Sequence, residues 1–415
     1  MFELTGSIYS QNNIQKILIY LFALFPISFL IGNLVINLFI GLIALTFLLL
    51  IFKINKNLFF KNNSFLILIL FFFWISLIIN LFFSQNYELG LPRVIKFFFI
   101  ICTILAFRLI ISLNEENKIN IIYKFWTITF LVVVADLTFE FINGQNLIGI
   151  TSYMPGRLAS FTGDELVIGS YFSAFSLICL SFIYKKIPKK NYLIIFLSLT
   201  IIVISLLIGE RSNFVKSVFI VFIFVFFALN LKFKFKVIIL LISTIIVLTF
   251  LNFSGNYKYR YHHQVSLLFK KDGIKNYLNN SQYGALYKVA SIIYSNNKIF
   301  GVGIKNFRIE SQKEKYQNFD HPYNKLSSTH PHQIHYEFLS ETGLFGYISF
   351  LLLVFFSVYL SLKSYLQKKN LYQLSGMLFV LVSLLPLLPS GSFFSTYFSG
   401  LFWINYSLMT GYIKN

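Results

Sequence analysis

Apolar runs of about 17–25 residues, each broken by a polar connector, recur from one end of this chain to the other. The pattern predicts spans near 14–32, 33–52, 65–83, 95–112, 121–143, 167–184, 192–209, 214–230, 236–253, 334–362, 373–389 and 395–413. That reading gives an all-α, polytopic membrane protein of about twelve helices, least sharply divided near Asn33. The alternation lapses once, over 254–333, so the chain falls into helices 1–9 (1–253), a large polar loop (254–333) and helices 10–12 (334–415). The loop is not a bare linker. Its segment Ala285-Leu286-Tyr287-Lys288-Val289-Ala290-Ser291-Ile292-Ile293-Tyr294 keeps apolar positions at helical spacing, which predicts short amphipathic helices over the membrane surface.

Composition agrees with the pattern. Of 415 residues 57% are hydrophobic and 52 are Phe, and the mean hydropathy is +0.72. A soluble domain has no core large enough to hide that surface, so the bilayer is expected to be its solvent. Residues 1–13 carry Glu3 and no Lys or Arg, and no small-residue cleavage site follows, so the first span is expected to stay as an anchor. No internal repeat of the kind that builds transporters is visible.

The net charge of +20 suggests nucleic acid until its placement is considered. Lys53, Lys56 and Lys61 share one connector, Lys185, Lys186, Lys189 and Lys190 another, then Lys232, Lys234 and Lys236, then Lys363, Lys368 and Lys369. With about twelve spans threaded, all fall on one side, the cytoplasmic side by the positive-inside bias. Both termini are then cytoplasmic, the 254–333 loop is periplasmic, membrane lipids are the surroundings, and nucleic acid is excluded as a partner. Cys102 and Cys179 lie inside apolar spans without a CxxC partner and read as membrane core.

Candidate chemistry gathers at the outer face. All six histidines (His262, His263, His321, His330, His332 and His335) lie in or at the end of the long loop, where basic residues outnumber acids twelve to four. In His330-Pro331-His332-Gln333, Pro331 suits the first position of a helix, making His330 its cap and His332 a first-turn residue. On that reading His332, Tyr336, Leu339, Gly343 and Gly346 form one stripe, and the glycines admit a neighbouring helix. A helix N-terminus seats phosphate and keeps a histidine neutral, as a general base requires. His332 with His330 and His335 also resembles a metal-ligand group, but no nearby Asp or Cys completes a set, and no metal is expected. Interfacial capping is the plainer role for such histidines.

Arg211 stands in the outward turn Gly209-Glu210-Arg211-Ser212-Asn213, with Glu210 as its structural partner or a phosphate as its functional one. Arg157, in another outward loop, is a second anion-binding candidate. Arg260, Lys288 and Arg308 of the long loop are unranked phosphate partners. Asp136, Glu140 and Glu341 are intramembrane acids that pair with Arg or Lys or serve function. Arg108 is expected to snorkel from a cytoplasmic helix end.

His332-Gln333, nine residues, then Gly343-Leu344-Phe345-Gly346 resembles the signature of the O-antigen ligase and O-antigen polymerase superfamily. The segment 300–307, Phe-Gly-Val-Gly-Ile-Lys-Asn-Phe, is similar to that family's Gly-x-Gly stretch, and Ile208-Gly209-Glu210-Arg211-Ser212 to its arginine turn. The resemblance covers about 150–350; the first four helices carry no such motif. It implies a GT-C-like glycosyltransferase of the bacterial inner membrane, with its active site at the periplasmic face. It implies transfer of a glycan from undecaprenyl diphosphate without metal or nucleotide sugar. His332 would be the base, Arg211 would grip the diphosphate, and Gln333, Tyr336, Glu341, Gly343, Gly346 and Glu210 would support them. The family's further arginine before the loop helix is missing from Gln282-Tyr283-Gly284-Ala285-Leu286-Tyr287-Lys288; Lys288 and Arg260 are the substitutes on offer.

The His-Gln-x9-Gly spacing favours a ligase with lipid A core as acceptor over a polymerase joining lipid-linked repeat units, and a protein O-glycosyltransferase is a third form. From another class, a transporter or flippase for lipid-linked sugars should show broken, polar helices at mid-membrane. The spans here are mostly unbroken Phe/Ile/Leu runs, so transfer is favoured over transport.

Overall fold

The computed structural model describes residues 8–413 except 55, 114–115, 189, 254, 256, 260 and 262–271. Arg260, His262 and His263 therefore lie outside the described residues. The first helices are α1 (Ile8–Ile31), α2 (Asn33–Ile51), α3 (Lys56–Phe82), α4 (Tyr87–Leu113) and α5 (Glu116–Asn143). A 3-10 turn (Ser160–Glu165) leads into α6 (Ile168–Lys186), α7 (Asn191–Leu207), α8 (Arg211–Ala228) and α9 (Phe233–Phe253). The long loop holds α10 (Gly273–Asn280), α11 (Gln282–Asn296), α12 (Phe307–Glu310) and α13 (Glu314–Gln317), the short helices its periodicity predicts. The chain ends with α14 (Ile334–Lys368), α15 (Leu371–Ser383) and α16 (Thr396–Gly411).

Every predicted span falls on a helix. Eight of the described helices are long and apolar enough to cross a membrane, while α7 and α15 are shorter apolar helices. The expected span at 373–389 is cut back to Ser383, because Pro386 and Pro389 disfavour helix in the residues before them. The chain from 384 to 395 instead runs irregularly, with Leu387 at φ 64°, back towards the histidines.

The main core is an aromatic-rich cluster, beside a smaller one around Val289, Ile293 and Phe307 of the loop and another around Leu206, Tyr257 and Tyr261. Phe73 of α3 lies among Phe97, Phe338, Phe350 and Trp403, so α3, α4, α14 and α16 share one interior. Apolar packing alone is a weak organiser in lipid, and buried polar pairs add direction. Ser76 meets Ser349 at 2.7 Å, and Ser181 meets Ser375 at 2.9 Å. Arg108 does not snorkel. It is 7% exposed and donates to Asn63 Oδ1 and, at 2.6 Å, to the Thr410 carbonyl.

The intramembrane acids of α5 pair with neither Arg nor Lys. Asp136 accepts from Leu147 N–H and Ser160 Oγ–H, and Glu140 accepts from the N–H groups of Ala159 and Ser160 at 2.7 Å. Buried carboxylates satisfied by backbone donors in this way fix the 144–166 connector against the helix end. They place Arg157.

Candidate active site

The start of α14 differs from its expected form. Gln333, not His330, is the cap: its Oε1 accepts from the N–H of His335 at 2.7 Å and of Tyr336 at 3.1 Å. A side-chain amide that satisfies two of the four free N–H groups sets the first turn firmly. His332 lies just outside the helix with φ 58°, a left-handed conformation that is strained for a non-glycine residue. The stripe through His332 is therefore absent. Its carbonyl accepts from Ser390 N–H at 2.7 Å, so the irregular 384–395 segment holds the backbone in that strained form.

The two loop histidines face each other, with ring centroids 4.0 Å apart. His332 Nε2 is 3.2 Å from Ser328 Oγ, and its ring meets Tyr283 edge-on at 5.7 Å. Burial holds the His332 imidazole below its ordinary value; burial, the neighbouring His332 and Lys305 hold His330 well below. Both rings are thus neutral at physiological pH, and the cause is desolvation rather than the expected helix terminus.

His335 does not join them. Its Nε2 contacts the Leu384 carbonyl at 2.8 Å and its Nδ1 the Tyr347 hydroxyl at 2.9 Å. Among the described residues no group of three His, Cys, Asp or Glu side chains is arranged to hold a metal ion. His321 serves its own loop, touching Leu278 O and accepting from Tyr323 N–H.

Gly343 does not admit a neighbouring helix. Gly343 (φ 65°, ψ −167°) breaks α14, and the residues 298–303 fill the break. Leu344 and Phe345 donate to the carbonyls of Lys298 and Ile299, and Val302 and Gly303 donate to those of Ser340 and Glu341. The backbone groups that the kink frees are thereby satisfied, as they must be where lipid offers no partner. A Cβ on Gly343 would lie 2.6 Å from Gly301 N, and one on Gly301 would lie 2.7 Å from Gly343 N. At Gly346 the near neighbour is Thr342 of the same helix.

Beneath this junction is a polar cluster that sequence reasoning only half found. Glu341 is fully buried and accepts from Lys305 N–H at 2.8 Å and Phe307 N–H at 3.3 Å. Glu337, one turn earlier, accepts from Ser392 Oγ–H at 2.5 Å and Phe393 N–H at 2.7 Å. Lys305 Nζ donates to Ser392 Oγ at 2.8 Å. The signal was available: two acids one turn apart in an apolar run, with one lysine in the Gly-x-Gly segment to balance them. Burial lowers Lys305 against the pull of Glu337 and Glu341.

Helices without a motif also contribute. Asn80 of α3 donates to Phe300 O at 2.6 Å and Glu341 O at 3.1 Å, and accepts from Ile304 N–H. Asn306 binds the connector after α3, accepting from Asn86 N–H at 3.0 Å and donating to Ser84 Oγ and Asn86 O. Phe83 stacks on Phe300 at 3.9 Å.

Arg211 is the first residue of α8, with Glu210 at the cap position. Glu210 pairs with Arg157 at 3.4 Å and accepts from Gly169 N–H and Asn213 Nδ2–H. Arg157 also donates to Leu166 O. The turn is tight because Gly209, at φ 76°, lies where any Cβ would come within 1.9 Å of Gly156 O. Tyr261, Tyr277, Tyr283 and Arg157 all lie close enough to act on the Arg211 charge. Tyr283 thus reaches Arg211 and His332 together.

Tyr287, one turn on, stacks on Tyr336 at 4.7 Å and 9°, which fixes α11 against α14; Lys288 of the same helix is exposed. Arg308 lies near His330 and Lys305 rather than near Arg211. Sequence reasoning missed Tyr283, Tyr287 and Ser328, whose roles depend on the path of the loop.

A neutral imidazole and a guanidinium, with the half-buried Tyr283 close to both, suit removal of a proton near an anion. No curated protein matches the chain. Residues 193–351 match the family model described as O-antigen ligase, Wzy_C. That interval contains Arg211, Tyr283, Lys305, His332, Glu337, Glu341 and Gly343, and over those residues the chain is similar to the O-antigen ligase family.

Proposed function

We propose that this protein is a metal-independent membrane glycosyltransferase that moves a glycan from undecaprenyl diphosphate to an acceptor sugar at the periplasmic face. Lipid A core is the favoured acceptor. The observation that carries the reading is the meeting of Arg211, Tyr283 and His332 inside the family-matched interval. His332, neutral and partly screened from water, takes the proton of the acceptor hydroxyl as its oxygen attacks the anomeric carbon. The bond from that carbon to the diphosphate breaks, and the diphosphate leaves with the electron pair. Arg211 offsets the charge that develops there. Glu210 and Arg157 hold the Arg211 turn, while Gln333, Tyr336, Glu341 and the Gly343 break hold the histidine turn. Preference for ligase over polymerase rests on the spacing from His332-Gln333 to Gly343.

The test is glycan transfer by purified protein in liposomes, with an undecaprenyl-diphosphate oligosaccharide, chelator throughout, and lipid A core present or absent. Product only with the core means ligase. A ladder without it means polymerase. No product from folded protein with a verified donor removes the transferase reading and favours transport.

A further inference from the structure

A second group of cations meets beside His330. Arg93 and Lys96 lie one turn apart on α4, and Arg93 acts on Lys96 and on Arg308 of α12. Arg308 in turn reaches Lys305 and His330. Lys305 has Glu337 and Glu341 to balance it. The other three do not: among the described residues no carboxylate pairs with Arg93, Lys96 or Arg308. The Nε atoms of Arg93 and Arg308 and the Nε2 of His330 are buried without a hydrogen-bond partner.

Half-buried like charges, two of them with a buried N–H left without a partner, oppose folding. An anion placed among them reverses the sign and satisfies the idle N–H groups. The gathering is rigidly imposed, because the Asn306 and Asn80 bonds tie the α3–α4 connector to the segment that carries Arg308. Arg93 and Lys96 also line a narrow cleft whose apolar walls include Phe73, Phe97, Phe394 and Trp403. Cations beside an aromatic wall suit an anionic group borne on an apolar chain.

We infer that Arg93, Lys96 and Arg308 form a second anion site, which holds a phosphate of the acceptor amphiphile while Arg211 holds the donor. This rests on the two-substrate transfer reading, and it moves Arg308 from the donor to the acceptor. The phosphate belongs to lipid A core in a ligase and to a second lipid-linked repeat unit in a polymerase.

The experiment reads binding, not transfer, so its failure is separate from failure of the transferase reading. Full-length protein carrying Arg211→Gln, which weakens the donor site, is titrated in nanodiscs. One arm uses lipid A core and its phosphatase-treated form; the other uses an undecaprenyl-diphosphate repeat unit, with inorganic phosphate as competitor in both. The expected result in at least one arm is affinity that falls about tenfold or more on adding Arg93→Gln and Arg308→Gln. Arg93→Lys in their place should recover part of it. Equal affinity with and without those two substitutions in both arms overturns the inference. So does displacement by inorganic phosphate at the amphiphile's own concentration, which would mark a site for the bare ion.

Discussion

Tyr283 sets its ring edge 5.7 Å from that of His332 and lies close enough to Arg211 to act on its charge. One loop side chain is therefore close both to the proposed base and to the proposed cation. The remaining loop contacts serve to keep it there.

If His332 removes the acceptor proton, His332→Ala lowers transfer by at least about 100-fold, the usual contribution of a positioned base. The protein should stay folded, because His332 lies outside α14 and Gln333 supplies the cap. Transfer assays beside size-exclusion profiles in detergent check this. Wild-type rates from a monodisperse variant would remove His332 from the chemistry.

Arg211→Gln should act on the donor. Loss of one charge-assisted contact, about 1.5–3 kcal/mol, corresponds to a rise of roughly 10–100-fold in donor KM. Acceptor KM should change little. The check is initial rates with each substrate varied in turn, and Arg211→Lys should fall between, since it keeps the charge but not the planar fork.

The pH dependence follows from the two lowered histidines. Burial depresses both in the folded protein, so the unfolded chain, titrating near about 6.5, binds more protons below that pH. Stability is then fully present above about 6.5 and declines as pH falls through it. The acid limb of kcat should likewise lie below the ordinary histidine value. Thermal unfolding between pH 5 and 8, with His330→Gln expected to flatten the slope, measures the first; pH–rate profiles measure the second.

Lys305 balances two buried acids, so its removal should be severe. Lys305→Ala leaves Glu337 and Glu341 without their cation, a change of about 3–5 kcal/mol. Adding Glu337→Gln should recover part of the loss. Thermal melts of the single and double variants decide it; equal melting temperatures for Lys305→Ala and the wild type would show that the backbone N–H donors suffice.

Gly343→Ala forces a side chain into left-handed backbone and against Gly301. The conformational cost alone is about 1–2 kcal/mol, and the closed contact adds to it. Proteolysis within 297–333 should accelerate in that variant while α14 stays helical by circular dichroism.

The helices were legible because apolar run length is a strong signal in a membrane protein. Helical spacing likewise exposed the amphipathic segment that became α11. The Arg211 turn and the His332 junction were visible as unusual residues at predictable boundaries. The exact cap was not. Pro331 and Gln333 both stand at the start of the helix, and what separates them, the Gln333 bonds to His335 and Tyr336 and the Ser390 bond to His332, is visible only in the fold. Lys305 could be read as a lysine available to balance two buried acids, but not its bond to Ser392, which lies 87 positions away in sequence. Arg93 and Lys96 belong to a helix that carries no motif, and nothing local announces Arg308 beside them.

The bond from Ser390 to the His332 carbonyl and those from Ser392 and Phe393 to Glu337 also set a chronology. A ribosome delivers the histidine turn some sixty residues before the strand of chain that holds it in shape. Until that later stretch has emerged and folded back, the imidazole has no fixed bearing. The histidine turn is consequently among the last parts of the molecule to be completed, and its maturation reports that the final helices have folded into place.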